Sequence, residues 1–118
     1  MIGGLVGTTI YCEDQAQLAP FYRDVIGLQV RAEEPGETHF GGDEGGLLIV
    51  GTHSEVHGSA REPERQIPSL LTDDVRAEYA RLRERGVEFV AEPATEGGVT
   101  FVTLRDPEGN LVNLLQFD

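Results

Sequence analysis

Few side chains in this 118-residue chain could carry chemistry: it has three histidines, one cysteine and no lysine. His53 and His57 stand in the motif HSEVH, at a spacing that would place both on one face of a helix, with Glu55 nearby. This is not the zinc-protease motif HExxH, whose glutamate directly follows the first histidine. The segment is polar and aperiodic, so we expect a surface loop, with a metal bound by these three side chains as the alternative. His39, in a predicted strand, could act as an acid or base near neutral pH.

The cysteine and lysine content of the chain excludes several kinds of catalytic and binding site. Cys12 is followed by Glu13 and Asp14, which disfavour a thiolate, so we do not expect a cysteine nucleophile. A single cysteine also excludes an intrachain disulfide. All nine basic residues are arginine, which excludes Schiff-base chemistry and the lysine of a P-loop phosphate site.

The charge balance restricts the partners. The formal net charge is −12, and a surface this acidic repels phosphates, so we expect neither nucleic acid nor an anionic membrane as a partner. The same field would attract cationic small molecules. Because the chain has no apolar run of about 20 residues and no basic segment before its first apolar stretch, we expect a cytoplasmic location.

The pattern of apolar residues predicts one strand, one helix and then three strands, twice. The predicted strands span residues 5–12, 28–34, 38–40 and 46–51 in the first half and residues 66–72, 87–92, 99–105 and 110–117 in the second, with a Gly-rich turn at residues 41–46. The first helix should begin at Asp14 and end at Gly27, with a kink or a later start at Pro20. The second should begin at Asp73 or Asp74 and end at Gly86.

The two halves also repeat in sequence: GLQVRAE at residues 27–33 corresponds to GVEFVAE at residues 86–92. We therefore predict a single α+β domain, residues 1–118. It should consist of module one (1–52), a linker (53–65) and module two (66–118).

With these stretches identified, the chain resembles the vicinal oxygen chelate superfamily, which includes glyoxalase I, extradiol dioxygenases and bleomycin-resistance proteins. The matching stretches are EDQAQLAPFYRDVIGL at residues 13–28, DDVRAEYARLRERGVEF at residues 73–89 and DPEGNLVNLLQ at residues 106–116. The resemblance implies two βαβββ modules, each curving a mixed sheet around a cup with the helices outside, and a homodimer. It does not imply one chemistry, because a single fold hosts many activities.

The resemblance also indicates where the metal ligands of the family's metalloenzymes would lie. Those ligands are His, Glu or Gln on the first and last strand of each module. The corresponding positions here are Gly7, Ile49, Ile67 and Asn113. One amide beside three residues without ligand atoms cannot hold zinc, iron or nickel, so we expect neither a metal nor another cofactor.

Residues in phase with those four positions should line the cup, because side chains alternate between the faces of a strand. The predicted ligand-binding residues are Thr9, Tyr11, His39, Leu47, Ile49, Ile67, Ser69, Leu111 and Asn113. Apolar walls with a few polar groups suit an organic ligand. The alternative is that these side chains only pack, with Asn113 hydrogen-bonded to a neighbouring strand or to a second chain.

The sequence therefore favours a metal-free small-molecule-binding protein that resembles the bleomycin-resistance branch. One enzymatic alternative is a glyoxalase-like lyase or dioxygenase with displaced metal ligands His39, His53 and His57. Another is a metal-free isomerase or cyclase in which Tyr11 and His39 are catalytic. A third alternative is a protein whose cup is filled by its own side chains and that only binds other proteins.

Overall fold

The computed structural model describes residues 1–41 and 45–118. They form two compact units, Met1–Gly58 and Ser59–Asp118, each built on one sheet. The boundary between the units lies inside the segment predicted as a linker. Residues 42–44 of the predicted Gly-rich turn at residues 41–46 lie outside the described residues.

The first unit contains a mixed sheet of four strands. Its strands are β1 (Gly7–Cys12), β2 (Val30–Glu34), β3 (Glu37–Phe40) and β4 (Leu47–Thr52), in the order β1-β4-β3-β2. Strands β1 and β4 pair in parallel, and the other pairs are antiparallel. The crossover from β1 contains helix α1 (Gln15–Pro20). Asp14 is its N-cap, and the Asp14 carboxylate accepts a hydrogen bond from the Ala16 amide at 3.0 Å.

The first helix changes geometry at Pro20. Proline has no N–H to donate to the preceding turn, and the chain continues as a π-helical segment, Phe21–Ile26. The segment ends at Gly27, whose φ of +90° is readily adopted only by glycine. The predicted helix therefore spans the predicted length but is not α-helical throughout.

The second unit contains a five-stranded sheet and repeats the order of the first. Its elements are a 3₁₀ turn (Pro63–Arg65), β5 (Ser69–Leu71), α2 (Val75–Glu84), β6 (Glu88–Phe89), β7 (Ala94–Glu96), β8 (Val99–Arg105) and β9 (Leu111–Phe117). The sheet order is β5-β9-β8-β6, with β5 parallel to β9. Of the strand predicted at residues 87–92, only Glu88–Phe89 is a strand. Strand β7, which lies beyond the predicted strand, also pairs with β8.

In each unit the helix packs on one face of the sheet and forms the core there. The buried core residues include Ile10, Leu18, Tyr22, Phe40, Leu48 and Val50 in the first unit and Val75, Leu82, Val102, Leu104, Val112 and Leu114 in the second. The α+β fold with two mixed sheets is thus confirmed. No helix in the described ranges is long and apolar enough to cross a bilayer.

Candidate functional site

The candidate residues lie on the face of each sheet opposite its helix, here called the far face. Strand alternation assigns them there, because their neighbours along each strand point into the helix-covered core. The first sheet presents Thr9, Tyr11, His39, Leu47 and Ile49, and the second presents Ser69 and Asn113. Leu111 shares the face of Asn113 but is buried. Ile67 precedes β5 and lies outside a strand.

On the second sheet, three polar side chains form a row across adjacent strands. Asn113 of β9 pairs with Thr103 of β8 on one side and with Ser69 of β5 on the other. The Thr103 hydroxyl donates to Asn113 Oδ1 at 2.6 Å, and Asn113 Nδ2 lies 3.4 Å from Ser69 Oγ, a weak hydrogen bond. We call these three side chains the amide row.

The row explains why an amide interrupts an apolar strand. Asn113 Oδ1 accepts the Thr103 hydrogen bond with one of its two lone pairs, while Nδ2 has two hydrogens and only one can point towards Ser69. Besides its remaining lone pairs, the row therefore presents two hydrogen-bond donors, namely the second amide hydrogen and the Ser69 hydroxyl. The adjacent row is apolar and consists of Phe101, Leu115 and Leu71.

On the first sheet, a histidine and a glutamate form a pair. Glu37 and His39 are two residues apart on β3, so both side chains lie on the far face, and Glu37 Oε1 is 2.8 Å from His39 Nε2. His39 lies across from Ile49, which lies across from Thr9. The structure thus brings three of the predicted residues into one row.

The ring of Tyr11 lies beside this pair because residue 51 is glycine. Gly51 stands between Tyr11 and Glu37 in the sheet, and a Cβ on it would lie 3.2 Å from Tyr11 Cε1 and 3.6 Å from Glu37 Cβ. The Tyr11 ring therefore occupies the space of the missing side chain. It is 48% exposed, and the His53 ring packs edge-on against it with centroids 5.1 Å apart.

The motif HSEVH is a loop in the structure. The Glu55 amide donates to His53 Nδ1 at 3.1 Å, and His57 Nδ1 lies 4.0 Å from a carboxylate oxygen of Glu13. Cys12 is buried, with Sγ 3.5 Å from the Gly51 carbonyl oxygen. Within residues 1–41 and 45–118, no group of three or more His, Cys, Asp or Glu is placed to hold a metal ion.

Gly7, the first of the four positions inferred from the family's metal sites, is closely packed against β4. A Cβ at this position would lie 2.2 Å from the Leu47 carbonyl oxygen and 2.9 Å from the Leu47 nitrogen, both of which are backbone atoms. Real Cβ contacts do not occur at such distances, so β1 would have to shift to accommodate any side chain. With β1 in this position, residue 7 cannot provide a side-chain ligand.

Several residues of these far faces were not among the predicted site residues, including Glu37, Gly51 and Thr103. Glu37 could have been found from its spacing, since a residue two positions from His39 in a strand must share its face. Thr103 and Gly51 depend on the pairing register between strands, which local sequence patterns do not give.

Comparison with known proteins identifies the family. The model of the Glyoxalase/Bleomycin resistance protein/Dioxygenase superfamily matches residues 4–114, and the chain belongs to this superfamily. The uncharacterized protein YurT of Bacillus subtilis is 30% identical over 125 residues, which cover 95% of this chain and 98% of YurT.

Two solved structures are similar in both fold and sequence. TnmS3, an antibiotic-binding protein from Streptomyces sp. CB03234, is 27% identical with a TM-score of 0.79, and the match covers 99% of this chain and 98% of TnmS3. UcmS2 is 26% identical with a TM-score of 0.75, and the match covers 98% of each chain.

Proposed function

We propose that this protein is a metal-independent small-molecule-binding protein that resembles the bleomycin-resistance branch of its superfamily. The observation that carries the proposal is the amide row, a set of hydrogen-bond donors set beside apolar side chains on a sheet face opposite the helix. Similarity to TnmS3, which binds an antibiotic, supports it. The predicted contacts Thr9, Tyr11, His39, Leu47, Ile49, Ile67 and Leu111 are part of the proposal.

The amide row indicates the chemistry of the group that it would bind. Its available hydrogens favour a ligand oxygen that accepts hydrogen bonds, such as a carbonyl, and the neighbouring Phe101, Leu115 and Leu71 favour an apolar body. A few oriented polar groups among apolar walls are typical of sites for organic ligands.

Metal independence is supported by the four positions inferred from the family's metal sites. Gly7 has no space for a side chain, while Ile49 and Ile67 have no ligand atoms. Asn113 alone among the four has a side-chain ligand atom, and one neutral amide oxygen is a weak ligand for zinc, iron or nickel. An alternative metal site formed by His39, His53 and His57 is not favoured, because each of the three rings contacts a different residue.

Asn113→Leu tests the role of the amide row. We expect the variant to fold and to lose about 1 kcal/mol of unfolding free energy or less, because the Thr103 and Ser69 hydroxyls are not fully buried and can bind water instead. Affinity for compounds identified by a thermal-shift screen of aromatic natural products should fall about tenfold, measured by calorimetric titration.

Thr103→Val is the matched control for this substitution. It keeps the amide but removes the hydrogen bond that fixes its orientation, so affinity should fall by a smaller factor. A large loss of thermal stability in Asn113→Leu with unchanged affinity would show that the amide serves the core rather than a ligand.

We further propose that the protein acts as a cytoplasmic homodimer. A chain with a single, buried cysteine is compatible with a reducing compartment, and exposed apolar side chains such as Leu71 and Phe117 could be covered by a second copy. Light scattering on the purified chain should give twice its 12.9 kDa mass, and a monomer at micromolar concentration would contradict the dimer.

A further inference from the structure

We infer that Glu37 and His39 form a hydrogen-bond-accepting site that selects ligands with a phenolic hydroxyl group. The inference rests on the proposed binding function and adds the chemical class of the ligand. The Glu37–His39 pair lies on the first sheet, whereas the amide row lies on the second. The acceptor is His39 Nδ1, and Glu37 is a positioning residue that acts through the histidine.

The glutamate determines which ring nitrogen is the acceptor. A carboxylate accepts hydrogen bonds, so its 2.8 Å contact with Nε2 requires the hydrogen to be on that nitrogen. In the neutral imidazole, Nδ1 then carries the lone pair. Such a histidine accepts a hydrogen bond from a ligand O–H and cannot donate one.

The surroundings of His39 indicate what kind of molecule would carry that hydroxyl. The side chain of His39 is 21% exposed and lies across from Ile49, with Leu47 further along the same strand. The Tyr11 ring, half exposed and lying over Gly51, adds an aromatic surface beside Glu37. An aromatic body with a hydroxyl group matches both features.

A ligand ammonium group would also donate hydrogen bonds, and the net charge of −12 would attract it. Glu37 contacts His39 through Oε1, however, so an ammonium group would bind Oε2 and would not use His39 Nδ1. The attraction of the overall charge does not depend on His39 and weakens with added salt. Therefore the two kinds of donor can be separated experimentally.

The test uses three naphthalene probes of similar size: 2-naphthol, 2-methoxynaphthalene and 2-naphthylmethylamine. Affinities are measured by NMR titration for the wild type, His39→Phe, Glu37→Ala and the control His57→Phe, which removes an exposed imidazole elsewhere. We expect the wild type and the control to bind 2-naphthol about fivefold more tightly than its methyl ether. His39→Phe should bind both equally.

A second readout separates positioning by Glu37 from a merely structural role. The ¹⁵N chemical shifts of the His39 ring should show hydrogen on Nε2 alone in the wild type and on either nitrogen in Glu37→Ala. The preference of Glu37→Ala for 2-naphthol should fall in parallel, while its melting temperature stays close to that of the wild type.

Several results would overturn the inference. These are equal affinity of the wild type for naphthol and ether, a preference that survives His39→Phe, tightest binding of the amine independent of His39, and no binding of any probe. None of these results contradicts the proposed binding function, which is tested separately with the Asn113→Leu variant and with other compounds.

Discussion

Gly7→His is expected to lower the free energy of unfolding by about 3 kcal/mol and to create no metal site. The reason is the 2.2 Å that would separate a Cβ at this position from the Leu47 carbonyl oxygen. Both atoms belong to paired strands, so this steric clash can be removed only if β1 moves away from β4. Chemical denaturation and zinc titration measure the two effects.

Two controls isolate the cause of this loss. Gly7→Ala adds only the Cβ and should already produce most of the destabilisation. Ile67→His places the same ring at the position in the second half that corresponds to Gly7, where the side chain is half-buried and outside a strand, and should reduce stability by about 1 kcal/mol or less. If Gly7→His were as stable as Ile67→His, or bound zinc tightly, the account of position 7 would be wrong.

Asp106→Ala should destabilise the second unit by about 3 kcal/mol, because Asp106 organises the turn that leads into β9. Its buried carboxylate accepts hydrogen bonds from the Glu108 and Asn110 amides on Oδ1, at 2.8 and 2.9 Å. Its Oδ2 accepts one from Asn110 Nδ2 at 2.9 Å. In the variant these donors lose their partner. Denaturant unfolding measures the loss.

Asp106→Asn is the informative comparison for this turn. The substitution keeps Oδ1 for the two backbone amides but places an NH₂ group against the Asn110 amide donor, so we expect about half of the loss. Asp73→Ala, at an exposed carboxylate in the same unit, should change stability by less than about 0.5 kcal/mol. A similarly small effect of Asp106→Ala would show that the turn does not need its carboxylate.

The fold could be predicted from the sequence because local signals agreed with the repeat. Asp14 and Asp74 cap their helices, and Gly27 and Gly86 follow the helix ends with positive φ. Pro20 marks one departure from the predicted elements, because a residue without an N–H interrupts the α-helical pattern and the helix continues as a π-helical segment. The second departure lies at residues 90–96, where the predicted strand has already ended at Phe89 and a further short strand, β7, pairs with β8.

The candidate site was less predictable, because its contacts cross between strands. The face on which Asn113 and His39 lie follows from alternation, which is a property of one strand. Their contacts could not be predicted in this way. Thr103 lies beside Asn113 because of the β8–β9 register, and the Tyr11 ring fits because Gly51 on a different strand has no side chain. A register depends on the whole sheet and its turns, so the sequence of one strand does not specify it.

The most direct test of metal-independent binding is a calorimetric titration in excess EDTA. The compound with the largest thermal shift in the screen is titrated into the wild type and into Asn113→Leu. We expect the wild type to bind as tightly as without the chelator and the variant to bind about tenfold more weakly. Binding that disappears in EDTA and returns with zinc or manganese, or equal affinity of both proteins, would contradict the account.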